Sequence, residues 1–186
     1  HAPSKFIILD LETTGLDRNK DSIFQIGVCC IGDGNVVINS VIIDTPMEQF
    51  SPEAIKITGI TPELIKLAGQ PRPAALKDFY EFYTARLEEG YVPVGHNLLN
   101  FDRGFLISEY ARLGTDFDVP ACALDTGILV KAAQMGEYPN EYESFKEFLL
   151  RIAAIRAKGI YWKLSGFCDE IFNLKQLADQ ADMRAV

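Results

Sequence analysis

The alternation of apolar and polar positions predicts that this chain begins with three strands. Residues 6–9 are four consecutive apolar residues, two of them β-branched, which is typical of a buried strand. Further apolar runs cover residues 22–31 and 36–43, and Gly32-Asp33-Gly34-Asn35 between them is typical of a hairpin turn. The first three strands are therefore predicted to be antiparallel neighbours in one sheet.

Helices are predicted where a capping residue precedes proline, or where apolar residues recur every three or four positions. Ser51-Pro52 starts a short helix that ends near Gly59, and Thr61-Pro62 starts another over residues 63–68. Longer helices are predicted over 73–89, 100–113, 126–134, 142–156 and 174–183, and short strands over 91–97 and 121–124. The pattern favours an α/β fold.

The aromatic stripe of the helix over 73–89 allows two interpretations. Its apolar positions are Leu76, Phe79, Tyr80, Phe82, Tyr83 and Leu87. Aromatic residues at this spacing pack into a core far more often than they form a platform for stacking bases. We therefore interpret the stripe as core.

Two carboxylates follow the first apolar run, at Asp10 and Glu12. Strand residues two apart point to the same face, so these side chains are predicted to lie side by side and to repel each other unless a cation separates them. Oxygen ligands without cysteine or histidine suit Mg²⁺ or Mn²⁺. The alternative for an isolated D-x-E is that Asp10 caps a turn and Glu12 is simply solvated.

A third carboxylate, Asp102, lies in the first turn of the helix predicted over 100–113. The helix dipole alone favours a negative charge there, so helix stabilisation is the alternative to a role in a metal site. Asp125 follows the strand predicted over 121–124, so another strand brings a carboxylate to its end.

Composition narrows the class of protein without identifying it. A chain of 186 residues with 48% hydrophobic and 24% charged residues suits a single globular domain over 1–186. No apolar run is long enough for a membrane span, and four cysteines without metal-ligand spacing suggest free thiols in a reducing cytoplasm. The net charge of −8 argues against a non-specific nucleic-acid coat protein, but not against a nuclease with a local metal site.

Residues 136–172 form a segment longer than a simple link between two helices, and we predict that they are an insertion within the domain. Tyr161-Trp162-Lys163 combines aromatic and basic residues, which suits contact with a single nucleic-acid strand. A packed surface loop is the alternative, and for this segment it is the simpler interpretation.

Six motifs in order resemble the DEDD superfamily of 3′ to 5′ exonucleases, in particular its histidine-containing (DEDDh) proofreading branch. The motifs are Leu9-Asp10-Leu11-Glu12-Thr13-Thr14-Gly15-Leu16, Gln25-Ile26-Gly27, Ile57-Thr58-Gly59-Ile60-Thr61, Gly95-His96-Asn97 with Phe101-Asp102, Asp125-Thr126, and Asn173-Leu174-x2-Leu177-Ala178. The resemblance implies a ribonuclease-H-like fold: a mixed five-stranded sheet flanked by helices, with its first three strands antiparallel.

The resemblance also implies a site. Asp10, Glu12 and Asp102 match carboxylates that hold two Mg²⁺ or Mn²⁺ ions and carry the catalysis. Substrate binding is implied for the residues that match the loop after the first motif and the motif around Asp102, namely Thr13, Thr14, Gly15, Leu16, His96, Asn97 and Phe101. The implied partners are a nucleic acid with a free 3′ end, preferably single-stranded, and a polymerase or repair assembly; no membrane is implied.

The sequence departs from the family at its last motif, H-x4-D. Its two histidines are His1 and His96, and neither is followed by an aspartate at that spacing. Asp179 and Asp182 precede the expected position of the motif, so we assign neither to it. Two explanations are open: the sequence stops just before the motif, which we favour, or the chain is a catalytically silent nucleic-acid-binding or protein-docking module.

Overall fold

The computed structural model describes residues 4–156 of the 186 in the chain. These residues belong to two compact units, divided after Asp125. The strands are β1 (Phe6–Thr13), β2 (Ile23–Gly32), β3 (Asn35–Ile43), β4 (Gly69–Gln70), β5 (Val92–Gly95) and β6 (Leu124–Asp125). The helices are α1 (Pro52–Thr58), α2 (Pro62–Ala68), α3 (Arg72–Glu88), α4 (Asp102–Arg112), α5 (Thr126–Met135) and α6 (Phe145–Ala154).

The first unit contains a mixed sheet with the strand order β4-β3-β2-β1-β5-β6. β2 is antiparallel to β1 and β3, whereas β5 is parallel to both β1 and β6. The predicted fold class is therefore confirmed. The sheet has six strands rather than the predicted five because β4 pairs in parallel with the end of β3. At two residues, β4 is too short to produce an apolar pattern in the sequence.

The hairpin between β2 and β3 is tighter than predicted. Its turn consists of Asp33 and Gly34 alone, both with positive φ (50° and 77°), and Gly32 pairs with Asn35 as the last residues of the two strands. Positive φ at both central residues is the geometry of a two-residue turn that matches strand twist.

The core of the first unit lies between one face of the sheet and helices α3 and α4. The predicted aromatic stripe is confirmed as core, because Leu76, Phe79 and Tyr83 are buried and the other three pack against them. Tyr110 of α4 donates a hydrogen bond from its hydroxyl to the Leu76 carbonyl oxygen (2.7 Å), which joins the two helices.

Both short helices begin as predicted. The Ser51 hydroxyl accepts a hydrogen bond from the Ala54 N–H, and Thr61 does the same for Leu64, so each side chain satisfies an orphan donor of the first turn. α1 ends at Gly59, whose φ of 66° is left-handed.

The described part of the second unit contains α5 and α6. Ser144 and Glu147 form a reciprocal capping box at the start of α6. At its other end, the Lys131 ammonium donates to the carbonyl oxygens of Ile152 and Ile155 (2.7 and 2.6 Å), and so adds hydrogen bonds to the last turn of the helix. In residues 4–156, no helix is long and apolar enough to cross a membrane.

Several sequence predictions lie wholly or partly outside the described residues. They are the loop with Tyr161-Trp162-Lys163, the helix over 174–183, and residues 157–172 of the insertion 136–172. The single domain over 1–186 stays a prediction as well.

Candidate active site

The end of β1 carries Asp10 and Glu12 on the same face. Ile7, Leu9 and Leu11 alternate with them and are buried in the core on the opposite face. β5 pairs with β1 only as far as Ile8, so the carboxylates lie beyond the last residue that β5 covers. Asp10 and Glu12 therefore lie on the part of β1 that β5 does not cover.

Asp102 is brought to the same place by the start of α4. Its side chain is only 4% exposed, and its Oδ1 accepts a hydrogen bond from the Leu11 N–H at 3.2 Å. Leu11 lies between Asp10 and Glu12 in β1. The structure therefore brings together the three carboxylates that the sequence singled out, although 90 residues separate Asp102 from Glu12.

Burial raises the pKa of all three carboxylates, and the charge of Asp10 adds to the shift of the other two. Burial raises the pKa of Asp102 to about 7, and the charge of Asp10 contributes next. Burial also raises the pKa of Glu12, again with help from Asp10. For Asp10 itself burial raises the pKa, while the nearby His96 opposes the shift. The site is therefore rich in negative charge that the protein only partly compensates.

The residues fit a divalent cation by their chemistry. They supply carboxylate oxygens, the preferred ligands of Mg²⁺ and Mn²⁺, and none of the three forms an ion pair with a described residue. Within residues 4–156, no three side chains of histidine, cysteine, aspartate or glutamate are placed closely enough to hold an ion. The site thus provides ligands and charge but not an assembled metal cage.

Asp125 orders the loop that carries His96 and Asn97. Its side chain is fully buried, and its two carboxylate oxygens accept hydrogen bonds from the N–H groups of Asn97 (3.0 Å) and Leu99 (2.9 Å). Asn97 has a φ of 64°, a left-handed conformation that the hydrogen bond helps to hold. The sequence placed Asp125 at a strand end without giving it this role.

The loop Thr13–Leu16 is held by hydrogen bonds of its two threonines, through both backbone and side chain. The Thr13 hydroxyl donates to the Gly15 carbonyl oxygen (2.6 Å), and the Thr14 hydroxyl accepts from the Ser22 N–H (3.0 Å). Thr14 is 1% exposed, whereas Leu16 is 85% exposed. Of these predicted substrate residues, Leu16 presents the accessible side chain, and the threonines shape the loop behind it.

Leu16 and Phe101 line one cleft of about 420 Å³. The remaining lining residues are Asp17, Arg18, Asn19, Asn100 and Phe105. Arg18 approaches the backbone of α4 so closely that a Cβ added at Gly104 would lie 2.7 Å from its guanidinium. Arg18 is a cleft residue that no sequence motif predicted; the only local signal for it is a cation six residues after Glu12.

We expect Gly95→Ala to lower stability by about 1–3 kcal/mol, the usual cost of overpacking. A Cβ at Gly95 would lie 2.8 Å from the Leu98 Cβ and 3.2 Å from the Leu9 carbonyl oxygen. The matched control is Gly27→Ala, where the nearest atom, the Asp10 carbonyl oxygen, would lie 3.5 Å away. Urea unfolding measures both variants, and equal costs would contradict the prediction.

We expect Asp102→Asn to stabilise the metal-free protein at pH 8. Because the pKa of Asp102 is about 7 in the fold and about 3.8 for an ordinary aspartate, the folded state binds more protons between these values, so stability falls as pH rises through them. The neutral amide removes this loss, about 1–4 kcal/mol at pH 8. Thermal unfolding with a chelator, at pH 4 and pH 8, measures it; a gain of equal size at both pH values would contradict the assignment.

The sequence profile of the RNase_T exonuclease family matches residues 7–156 of the chain. Among individual proteins, the chain is 33% identical over 128 residues to the PolC-type DNA polymerase III of Thermotoga petrophila. It is 34% identical over 122 residues to the corresponding protein of Caldanaerobacter subterraneus. These matches cover 68% and 66% of this chain but only 9% and 8% of the polymerases.

Solved structures of E. coli exonuclease I share the fold. A metal-free complex of that enzyme with single-stranded DNA superposes with a TM-score of 0.59 at 22% identity, over 82% of this chain and 36% of the enzyme. A zinc-bound form of the complex gives the same TM-score at 21% identity, over 83% and 36%. The family match covers all of the carboxylates described above, and the chain therefore belongs to the RNase_T exonuclease family, within the DEDD superfamily.

Proposed function

We propose that this chain is a divalent-metal-dependent 3′ to 5′ exonuclease domain that acts on single-stranded DNA or RNA and releases nucleoside 5′-monophosphates. The observation that carries the proposal is the placement of Asp102 against the end of β1, beside Asp10 and Glu12, where the charge of Asp10 adds to the raised pKa of both Glu12 and Asp102. Membership of the exonuclease family supports it. We also propose the DEDDh branch, a cytoplasmic location, and work beside a polymerase or repair assembly.

Asp10, Glu12 and Asp102 are the residues that would hold two Mg²⁺ or Mn²⁺ ions. Bound there, such ions supply positive charge to the scissile phosphate and lower the pKa of a water molecule. Because phosphoryl transfer depends on positioning and charge neutralisation, the protein's task is to place these ligands and the 3′ end. The hydrogen bond from the Leu11 N–H fixes Asp102 against β1 for that purpose.

The proposed substrate contacts include residues that line the cleft of about 420 Å³. Leu16 offers an exposed aliphatic side chain against a terminal base, and Phe101 lines the same cleft. Arg18 supplies a cation there that can pair with a phosphate. His96 and Asn97 approach the 3′ terminus from the loop that Asp125 holds, and the backbone of Gly15 completes this binding surface.

The test is digestion of 5′-labelled single strands of DNA and of RNA with Mg²⁺, with Mn²⁺, and with a chelator. We expect a ladder that shortens from the 3′ end, mononucleotide products, and no cleavage with the chelator. Comparing the two strands decides between DNA and RNA. Internal cleavage, or equal cleavage with the chelator, would overturn the proposal.

The same assay tests an alternative function, which we consider because the sequence contains no H-x4-D motif. This second function is that of a catalytically silent module that binds nucleic acid or docks a protein. If the chain is such a module, we expect it to bind the labelled strand without shortening it. The same result is then expected for an extended chain that includes an H-x4-D motif.

A further inference from the structure

The outer edge of β3 is open along most of its length. β2 pairs with β3 from Asn35 to Ile42, but β4 pairs only with Ile42 and Ile43. The two-residue turn makes Gly32 and Asn35 a hydrogen-bonded pair, and such pairs alternate along an antiparallel ladder. The backbone groups of Val36, Ile38 and Ser40 therefore point away from β2. We call these three residues the outer β3 edge.

The bonds to β4 support this alternation. The Asp44 N–H donates to the Gln70 carbonyl oxygen (2.8 Å), so the outward series continues through Ile42 to Asp44, at every second residue. In the part of the chain that the structure describes, no backbone group pairs with the outer β3 edge. Three N–H and three C=O groups thus face solvent in strand geometry.

This edge lacks the features by which proteins usually protect a free strand. β3 contains no charged residue and no proline, and its pairing with β2 shows no bulge. Val36 is 63% exposed and Ile38 is 78% exposed. An unprotected, β-branched edge is a template for pairing with another strand.

A cleft of about 310 Å³ lies on the α3 side of the same edge. Asn39 and Val41 of β3 line it, together with Asp78 and Phe82 of α3. A strand added beside β3 points every second side chain to this side of the sheet. The cleft therefore offers a side chain of the added strand a site that is apolar at Val41 and Phe82 and carries a carboxylate at Asp78.

Charge decides what kind of strand fits. Asp78 is exposed and forms no ion pair with a described residue. A second copy of this chain, paired antiparallel through β3, would place a second Asp78 on the same face of the joined sheet and bring together two chains of net charge −8. An apolar segment with basic residues avoids this repulsion and compensates Asp78.

We propose that the outer β3 edge binds an extended segment of a partner protein, in which an apolar residue is flanked two positions away by lysine or arginine. The segment joins the sheet through the free backbone groups of Val36, Ile38 and Ser40. Its apolar side chain enters the cleft beside Phe82, and a basic side chain pairs with Asp78. In this mode of recognition, backbone hydrogen bonds provide the affinity, and the contacts of every second side chain provide the specificity.

The probe is an acetylated and amidated heptapeptide, Thr-Lys-Val-Leu-Val-Lys-Thr, which places leucine and both lysines on one face. Residue-resolved amide hydrogen exchange by NMR locates its binding. In the free chain we expect fast exchange at Val36, Ile38 and Ser40 and slow exchange at Val37 and Asn39. The peptide should slow the first three and leave the other two unchanged.

Two variants separate edge pairing from general attraction. Ile38→Pro removes an outward N–H without removing a bond to β2, and we expect about 2- to 13-fold weaker binding, as for one hydrogen bond. The matched control Ile38→Thr keeps the N–H and should bind nearly as well as the parent chain. Asp78→Ala should weaken binding by about 1.4- to 5-fold at low salt.

Four results would overturn the proposal. The first is slow exchange of the outward amides in the dilute free chain, because the edge is then already covered. The second is protection that grows with protein concentration and accompanies a dimeric mass, which identifies a second copy as the occupant. The third is equal binding of a peptide with glutamate in place of lysine, and the fourth is no binding up to ~1 mM. If Ile38→Pro does not fold, the exchange pattern of the parent chain decides.

Discussion

Asp10→Ala should reduce exonuclease activity more than any other single substitution, by at least about 10²–10³-fold, as for removal of one preorganised charge-stabilising group. Asp10 lies on the exposed face at the end of β1, and its charge acts on both Glu12 and Asp102. The substitution therefore removes the one carboxylate whose charge acts on both of the others. The measurement is the rate of mononucleotide release, in whichever form of the protein is most active.

The control for Asp10→Ala is Asp116→Ala, which removes an exposed carboxylate from the loop after α4. It should leave the rate unchanged. Titration with Mn²⁺ followed by calorimetry gives a second readout that does not require turnover, and we expect weaker binding for Asp10→Ala alone. Thermal stability should not fall, since the substitution removes a repelling charge. A folded Asp10→Ala protein with the same activity as the parent chain would contradict the mechanism.

The 186-residue chain by itself should cleave about 10²–10⁴-fold more slowly than a form that contains an H-x4-D motif, the usual contribution of a general base. Its sequence has no histidine at that spacing. His96 lies in the loop that Asp125 holds, and we propose that it lines the cleft instead of acting as the missing base.

The comparison requires the 186-residue chain and a chain extended through the next ~30 codons of its gene, enough for one loop and one helix. Replacing the histidine of the added H-x4-D motif by alanine is the matched control, because it keeps the length and removes the base. Equal rates for the short and extended chains, with the motif present, would reject this explanation and favour the silent module.

The proposal of strand pairing at the outer β3 edge and the proposal of exonuclease activity can be tested independently. Ile38→Pro changes peptide binding at a strand two positions from β1 in the sheet, and none of the three carboxylates lies on β3. Failure of the peptide experiment therefore leaves the proposed exonuclease activity intact. Failure of the digestion experiment likewise leaves the edge available to a partner.

Local features of the sequence were sufficient for the first three strands, for two helix starts and for the shared face of two candidate site residues. The apolar runs located β1, β2 and β3, because a strand buried on one or both faces requires apolar residues at a period of two or in a row. Ser51 and Thr61 located two helix starts, because their hydroxyls satisfy amides within three residues. The D-x-E spacing placed Asp10 and Glu12 on one face by strand geometry alone.

The sequence by itself determined which residues are candidates for the chemistry, and the tertiary structure decided which of these candidates lie close together. The bond between Asp102 and the Leu11 N–H, and the bonds from Asn97 and Leu99 to Asp125, join residues from 26 to 91 positions apart. The open outer β3 edge depends on β4, two residues whose pairing no local pattern specifies. The physical reason is that periodicity and capping act within a few residues, whereas burial, charge coupling and edge pairing depend on which distant segments the fold brings into contact.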